Sequence, residues 1–575
     1  MSGTATEDQP GPGQGPRRPA AHPSTPTAGP PVRPAPSGTP PSPPPSPLGR
    51  FLARAAALTA ALTAAGSLLG LVRDQAIAHL FGADGDTDAF LVAWTVPELA
   101  ATLLIEDAMA LVLVPAFSLA LSRRTASGRD PAAPDPVREL AAATFPRLFA
   151  WLAAVAALLL ATAPVLVRAL APGLADPGLA VTCTRLTAVA VVTFGIAGYL
   201  SAALRAHDSF VPPAAIYVAY NLGICATMLA LHSLLGVRAA AVGVAVGGAL
   251  MVLVQLPSFL RRLNMRRPHL LRTAPDAAPP PSPGPAARIG LLSLGGIAPV
   301  LLFALGRQAQ VLVERHFGSS LSAGAISHLN YAQKVAQMPM VLSLMICTVT
   351  FPAVARAVAD GDADRARLRV ERDLALAAVV VLLGAAYVVG YAPQIIELLF
   401  QRGEFDASDT AATASVMRVY SLGLLGHSLV GALVRPFFSA ARPTWYPAAV
   451  MAAGLLITVV ASAAATPYWG IHGIAAANAA GITTTACLLL RGLGTRVIAI
   501  RARRVAGDLG RLTLPAVAAA AAGWTLAPAI PHTALTAAVG ALAVPAVFVA
   551  TAFAVRAPEA PQLIVTLTRK LRHAR

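Results

Sequence analysis

Charged side chains recur at helical spacing within apolar stretches of this sequence. Four stretches each carry one polar stripe, and the stripes consist of Arg307, Gln310 and Glu314; of Ser327, Asn330, Lys334 and Gln337; of Thr95, Glu98, Thr102 and Glu106; and of Thr59, Thr63 and Ser67 with Arg73-Asp74 at the end. Residues three, four and seven apart share one face of an α-helix. A charge within a bilayer is costly, so it normally faces a water-filled cavity or another helix. We therefore expect Arg307, Glu314, Lys334, Glu98 and Glu106 to line a cavity inside a membrane.

No catalytic constellation accompanies these stripes. The sequence contains no glycine-rich phosphate-binding loop followed by Lys-Ser/Thr, no His/Glu metal pair and no nucleophile elbow. The four cysteines lie in apolar stretches without metal-ligand spacing, which is typical of small buried hydrophobes. We expect no enzyme activity, no metal and no cofactor. Any work must then draw on a substrate gradient, on a Na+ or H+ gradient, or on the membrane potential.

The composition places the stripes in a membrane protein. Of the 575 residues, 56% are hydrophobic and 12% are charged, whereas a soluble domain carries about 25% charged residues. This chain has too little polar surface to be soluble in water. The net charge of +17 would suggest a nucleic-acid partner in a soluble protein. Here the basic residues fall in alternate loops between apolar segments, so we expect no binding to nucleic acid.

Apolar segments long enough to cross a bilayer recur from residue 51 onward and predict about fourteen transmembrane helices. The segments are 53–80, 87–121, 143–170, 180–205, 213–235, 239–260, 289–316, 322–352, 373–393, 409–434, 443–465, 470–492, 510–530 and 534–555. Arginine clusters lie in alternate loops, and the opposite loops are acidic. The positive-inside rule therefore places both termini in the cytoplasm and the protein in the cell membrane.

Composition also suggests a division of the chain into lobes. Residues 1–50 form a Pro-rich tail without an apolar run, which predicts a disordered cytoplasmic segment. A basic, Pro-rich linker at 263–288 separates an N-terminal lobe of six helices from a C-terminal lobe. The full predicted division is 1–50, 51–262, 263–288, 289–505, two additional helices in 506–556, and a basic cytoplasmic tail at 557–575.

Short motifs follow one another in a characteristic order through residues 51–500. They include Gly70-Leu-Val-Arg73-Asp74, Phe81-Gly82, Asp88-Ala89-Phe90, Val114-Pro115, Ala171-Pro-Gly173, Gln255-Leu-Pro257, Val313-Glu-Arg315, Tyr331-Ala332 and Leu399-Phe-Gln-Arg-Gly403-Glu-Phe405. This ordered set resembles the MviN/MurJ family of lipid II flippases, within the multidrug/oligosaccharidyl-lipid/polysaccharide exporter superfamily. The resemblance implies an all-α polytopic membrane protein with about fourteen helices in two pseudo-symmetric lobes around a central cavity.

The resemblance also implies a cargo and a mechanism. The cavity would bind the diphosphate of an undecaprenyl-linked peptidoglycan precursor, and alternating access of the two lobes would carry the headgroup outward. The partners so implied are the undecaprenyl-diphosphate-linked glycan and membrane lipids. We further expect the N-terminal tail to be available to cell-wall synthesis proteins.

The resemblance assigns roles to individual residues. Substrate binding falls to Arg73, Asp88, Glu106 and Lys334, and Arg307 adds positive charge to the second lobe. Glu314 matches the family's acid in the seventh helix, and it is a candidate for ion coupling together with Glu98 of the stripe that begins at Thr95. This sequence departs from the family's pattern at Ser67-Leu68 and at Ala101-Thr102, where relatives carry arginines. The first lobe has therefore lost positive charge.

Several functions are compatible with this pattern. The chain is interpreted as a lipid II flippase that relies on Lys334, Arg307 and Arg73, or as a paralogue that moves another polyprenyl-diphosphate glycan. A non-transporting cell-wall scaffold with the same fold and a small-molecule antiporter of the same superfamily are the remaining alternatives.

Overall fold

The computed structural model describes residues 47–126, 135–264, 294–344, 356, 360, 362–438, 444–529 and 531–556. Within these residues every regular element is helical, and no strand occurs. Residues 1–46 of the predicted N-terminal tail, most of the linker at 263–288 and the C-terminal tail lie outside the described residues. Residues 47–50, predicted to belong to the disordered tail, form the start of a helix. The predicted division into lobes therefore stays a prediction.

Sixteen α-helices are labelled here in chain order. They are α1 (Pro47–Phe81), α2 (Gly85–Ala101), α3 (Met109–Ala126), α4 (Pro136–Leu170), α5 (Pro177–Ala206), α6 (Val211–Leu235), α7 (Arg238–Asn264), α8 (Leu294–Gly318), α9 (Ala325–Ala336), α10 (Ala363–Gly390), α11 (Ala392–Phe400), α12 (Ala407–Ser421), α13 (Leu424–Phe438), α14 (Tyr446–Arg496), α15 (Ala502–Leu526) and α16 (Thr533–Ala554). A π-helical segment, Thr102–Ala108, joins α2 to α3.

Aspartates begin several of these helices. The carboxylates of Asp84, Asp135, Asp176 and Asp362 each accept a hydrogen bond from a backbone N–H in the first turn of the helix that follows. Asp406 forms a capping box with Asp409 at the start of α12. Hydrogen bonds from the Asp409 backbone and from Ser408 lower the pKa of the exposed Asp406 carboxyl. A carboxylate at the N-cap satisfies an otherwise unpaired N–H and interacts favourably with the helix dipole.

The apolar helices account for most of the predicted spans. Nine helices among the described residues are long and apolar enough to cross a membrane, and the pair α12 and α13, bent by 48°, makes ten. The predicted number of fourteen is not confirmed. The spans predicted at 443–465 and 470–492 correspond to the two parts of α14, because the backbone leaves the helical conformation at Gly470. The two parts pack against each other, and the Tyr446 hydroxyl donates to the Leu488 carbonyl at 2.6 Å. Helices α1, α8 and α9 are not among the ten. Charged residues of the stripes lie in α1 and α8, and α9 has only 12 residues.

Helices pack in two sets along the chain. In the N-terminal half α5 packs against α2, α4 and α7, and α6 packs against α7; in the C-terminal half α8 packs against α14, and α10 against α15. Small residues allow these close approaches, as is common between membrane helices. A Cβ on Gly247 in α7 would lie 2.6 Å from the Tyr220 carbonyl oxygen of α6.

Prolines occur inside several helices and near one helix end. Pro97, Pro257 and Pro299 lie inside α2, α7 and α8. A break does occur near Pro339, because α9 ends at Ala336 and a turn at Gln337 separates it from the helical residues 338–344. The π-helical segment follows Pro97 by five residues, and such segments frequently accompany functional sites.

Candidate functional site

Two cations and one carboxylate meet beside the indole ring of Trp94. The Arg73 guanidinium carbon lies 4.3 Å from the ring centroid, and the Lys334 Nζ lies 4.8 Å from it. Arg73 donates to Asp74 Oδ1 through Nη2 at 2.8 Å, and Lys334 Nζ lies 3.3 Å from Asp74 Oδ2. This cation cluster of Arg73, Asp74, Trp94 and Lys334 joins α1, α2 and α9, and Lys334 reaches a carboxylate 260 positions earlier in the chain. The cations gain from both the carboxylate and the aromatic face.

Helix α6 holds this cluster in place. Arg73 Nη1 donates to Asn221 Oδ1 at 3.0 Å, and the Asn221 amide donates to the Gly66 carbonyl of α1 at 3.0 Å. The indole Nε1 of Trp94 donates to the Tyr220 hydroxyl at 3.2 Å. Arg73 and Trp94 therefore each have a partner on α6 that fixes their orientation, which is the arrangement expected of a preorganised binding site.

A cavity of about 340 Å³ opens between α2, α8 and α9. Its polar lining consists of Thr95, Glu98, Thr102, Arg307, Gln308, Gln310, Arg315, Asn330, Gln333, Lys334, Gln337 and His427. The predicted cavity residues Glu98, Arg307 and Lys334 thus lie on one cavity. Three cations and one carboxylate give the lining a net positive charge, which suits an anionic ligand.

Arg315 is a cavity residue that the sequence reasoning missed. The guanidinium is 2% exposed and donates to Asn330 Oδ1 at 2.9 Å, to the Ile326 carbonyl at 3.3 Å and to Thr95 Oγ1 at 3.4 Å. It therefore ties α8 to α2 and α9. Its signal in the sequence is the motif Val313-Glu-Arg315, in which the resemblance to the family assigns a role only to Glu314.

Asp88 corrects the prediction of a cavity ligand. Its Oδ2 accepts from the backbone N–H of Gly324 at 2.8 Å, and its Oδ1 accepts from the backbone N–H and the hydroxyl of Ser327 at 2.7 and 2.6 Å. Both carboxylate oxygens are thereby committed to the N-terminus of α9. Asp88 does not line the cavity, because its place on α2 faces the first turn of a helix that lacks a side-chain cap of its own.

Glu314 also departs from the predicted arrangement. It is buried, does not line the cavity, and accepts from Asn478 Nδ2 of α14 at 2.7 Å through Oε1. Asn478 Oδ1 in turn accepts from His427 Nε2 at 3.1 Å, and His427 does line the cavity. Tyr420 lies beside the same carboxyl group. A chain of hydrogen bonds therefore connects Glu314 to the cavity that it was predicted to line directly.

The remaining site predictions concern Glu106 and metal binding. The Glu106 side chain lies outside the described residues, although its backbone belongs to the π-helical segment. Within the part of the chain that the structure describes, no group of three or more His, Cys, Asp or Glu side chains is placed to hold a metal ion.

Contacts between the chain halves close one end of the molecule, which we call the acidic end: the end at which α2, α5 and α12 begin. Besides the Asp88 contacts, the Glu404 backbone N–H donates to the His79 carbonyl at 3.1 Å, and the Gly173 N–H donates to Ser319 Oγ at 3.3 Å. Gly324 has φ +87, and a Cβ there would collide with the Ala83 carbonyl oxygen. Only glycine permits this backbone conformation at such a close approach.

Comparison with known proteins decides the family. The profile of the lipid II flippase MurJ family matches residues 77–540. The chain belongs to the lipid II flippase family. A lipid II flippase from Burkholderia cenocepacia is 29% identical over 437 residues, which cover 75% of this chain and 81% of the relative. A probable lipid II flippase from Rhizobium meliloti is 28% identical over 448 residues, covering 74% and 77%.

Solved structures agree on the fold of this flippase family member. A lipid II flippase in an inward closed conformation superimposes with a TM-score of 0.66 at 16% identity, covering 87% of this chain and 99% of the other. An inward-facing multidrug resistance transporter of the MATE family superimposes with a TM-score of 0.58 at 14% identity, covering 77% and 96%. The chain is therefore an all-α, multi-span membrane protein with the fold of these transporters.

Proposed function

We propose that this protein flips lipid II, the lipid-linked peptidoglycan precursor, across the cell membrane by alternating access. The observation that carries the proposal is the convergence of cations from several helices on one cavity between the chain halves: Arg307 and Arg315 from α8, and Lys334 from α9 beside Arg73 from α1. A diphosphate is the part of such a cargo that needs fixed cations in a low-dielectric site. Membership of the flippase family supports the same cargo.

Asp74 links a cation of each chain half. Its carboxylate lies between Arg73 and Lys334, which would otherwise repel one another. An entering diphosphate offers oxygens to the same two cations and competes with Asp74 for Lys334. Lys334 then moves its contact from the first half of the chain to the substrate, whereas Arg73 keeps its bonds to Asp74 and Asn221.

The acidic end is closed in this structure and must open to release the cargo. Its polar closing contacts are chiefly the three hydrogen bonds to Asp88 and the backbone bond between Glu404 and His79. They lie beside a hydrophobic core to which both chain halves contribute. Basic residues cluster at the opposite end, so the positive-inside rule directs the acidic end to the outside and both termini to the cytoplasm. The described conformation then corresponds to a carrier closed on the outer side.

Coupling is assigned to the chain of hydrogen bonds from Glu314 through Asn478 to His427. A buried carboxylate linked to a water-accessible imidazole can take up H+ or Na+ and so change the charge of the site. The Glu98 carboxylate in the cavity itself is the second coupling candidate. Transport in this scheme draws on an ion gradient or on the membrane potential, without covalent catalysis by the protein.

The test is complementation of a flippase-depleted strain, together with binding of purified protein to lipid II by native mass spectrometry. We expect Lys334→Ala to abolish growth and to weaken lipid II binding by about tenfold or more, since a charge-assisted hydrogen bond contributes roughly 1.5–3 kcal/mol. Lys334→Arg should restore part of both. Arg168→Ala is the matched control, because this exposed arginine of α4 bonds only within its own helix turn among the described residues.

Growth supported fully by Lys334→Ala would refute the proposed role of the cation cluster. Binding of another polyprenyl-diphosphate glycan in preference to lipid II would favour the paralogue. A scaffold predicts instead that removal of residues 1–50 abolishes growth while cavity variants retain it.

A further inference from the structure

A basic crevice lies between the N-terminal ends of α10 and α15, two helices that contain none of the residues of the cation cluster. Its volume is about 370 Å³, and Arg367, Arg372, Arg501 and Arg504 all line it. Since both helices begin at this crevice and pack against each other, they run side by side in the same direction. The crevice therefore lies at a membrane boundary, where two apolar spans begin.

The carboxylates in the crevice leave part of this positive charge uncompensated. Glu371 Oε1 accepts from the backbone N–H of Arg501 at 2.9 Å. Asp508 lies 4.0 Å from Arg504 and 3.8 Å from Arg511, so its charge is divided between them. Within the described part of the chain, no carboxylate pairs with the side chains of Arg372 or Arg501. The crevice thus presents guanidinium groups that an anion can fill.

An apolar groove continues from the crevice along the same two helices. Its volume is about 570 Å³, and its lining includes Leu382 and Val389 of α10 with Ala516, Val517 and Trp524 of α15. On α15 the groove lining begins at Thr513, four residues after the crevice lining ends at Leu509, which is about 6 Å along the helix. A basic crevice and an apolar groove, to which Ser421 of α12 and Leu425 of α13 also contribute, therefore follow one another along α10 and α15.

We propose that this crevice binds the phosphate headgroup of an anionic phospholipid, whose acyl chain lies in the groove. Guanidinium groups match phosphate oxygens through paired N–H donors, and basic pockets between helices at a membrane surface are suited to such headgroups. A free phosphate ion would use only the crevice, whereas the lipid uses both surfaces. The site shares no residue with the cation cluster, so the proposal stands independently of the cargo.

The experiment measures lipid retention by native mass spectrometry on the delipidated full-length protein titrated with dioleoyl phosphatidylglycerol or dioleoyl phosphatidylcholine. The variant Arg372→Gln/Arg504→Gln removes two crevice arginines. Arg365→Gln/Arg503→Gln is the control with the same charge change, because both residues are exposed, lie on α10 and α15, and do not line the crevice.

We expect the crevice variant to bind phosphatidylglycerol about 25-fold more weakly, which is about fivefold for each ~1 kcal/mol that a basic residue contributes at an anionic membrane surface. The control variant should change this affinity by less than twofold, and the phosphatidylcholine affinity should not change. Equal losses in both variants would mean diffuse surface attraction and would overturn the proposal. Displacement of the lipid by equimolar inorganic phosphate would also overturn it, since the groove would then contribute nothing.

Discussion

Removal of the Asp88 carboxylate should open the acidic end. In Asp88→Ala, the backbone N–H groups of Gly324 and Ser327 lose acceptors at 2.8 and 2.7 Å, and the Ser327 hydroxyl loses one at 2.6 Å. A buried donor left without a partner costs about 1–3 kcal/mol. The two backbone groups alone then destabilise the closed end by at least about 2 kcal/mol, so the open fraction should rise about 30-fold.

Accessibility of Ala83 provides the assay for this opening. The residue is buried at the closure, and its carbonyl lies against Gly324. In a background without the native cysteines, Ala83→Cys should react with a membrane-impermeant maleimide only when the acidic end opens. When closing is faster than reaction, the labelling rate follows the opening equilibrium.

The expected result is labelling about 30-fold faster in the Asp88→Ala protein than in its parent. Asp86→Ala is the matched control, since this neighbouring carboxylate is exposed and does not bond to α9. Equal labelling rates in the parent, the control and Asp88→Ala would refute the assignment of Asp88 as a closing contact and would return it to the cavity.

Three further variants test the remaining geometry. Arg73→Lys should weaken lipid II binding by about tenfold in native mass spectrometry, because an ammonium cannot reproduce the forked contact with Asp74. Unchanged binding would argue against a role of this contact in holding the substrate. Gly324→Ala should lower the midpoint of thermal unfolding and speed labelling at the acidic end, because the backbone there has φ +87; a stability equal to that of the parent would contradict this. Asn478→Ala should leave lipid II binding intact but weaken the dependence of transport on the ion gradient, since Glu314 loses its 2.7 Å donor; an unaltered dependence would remove this chain from coupling.

Helical spacing predicted much of the cavity. Their positions within apolar segments predict one cavity for Glu98, Arg307 and Lys334, and the structure brings the three side chains together. Spacing alone points to such a site because a charge in a long apolar helix has few low-energy surroundings. The positions of the helices followed for the same reason, since segment length and apolarity are both local properties of the chain.

The ends of the spans were predicted unevenly from the same pattern. Hydropathy divides 443–492 into two segments, and the backbone does leave the helical conformation between them, at Gly470. By contrast, α9 ends at Ala336, well inside the predicted segment 322–352. Apolar content sets how far a segment can remain in lipid, but it does not set where the backbone bends or ends.

The sequence by itself determined the class of this protein: a polytopic helical membrane protein with a cationic cavity and no catalytic constellation. Only the tertiary structure decided how individual polar groups are used. Asp88 caps α9, which begins at Ala325, 237 positions later in the chain. Glu314 reaches the cavity only through Asn478 and His427. Periodicity fixes the side of its own helix on which a residue lies, whereas the partner that meets that side depends on how distant helices pack.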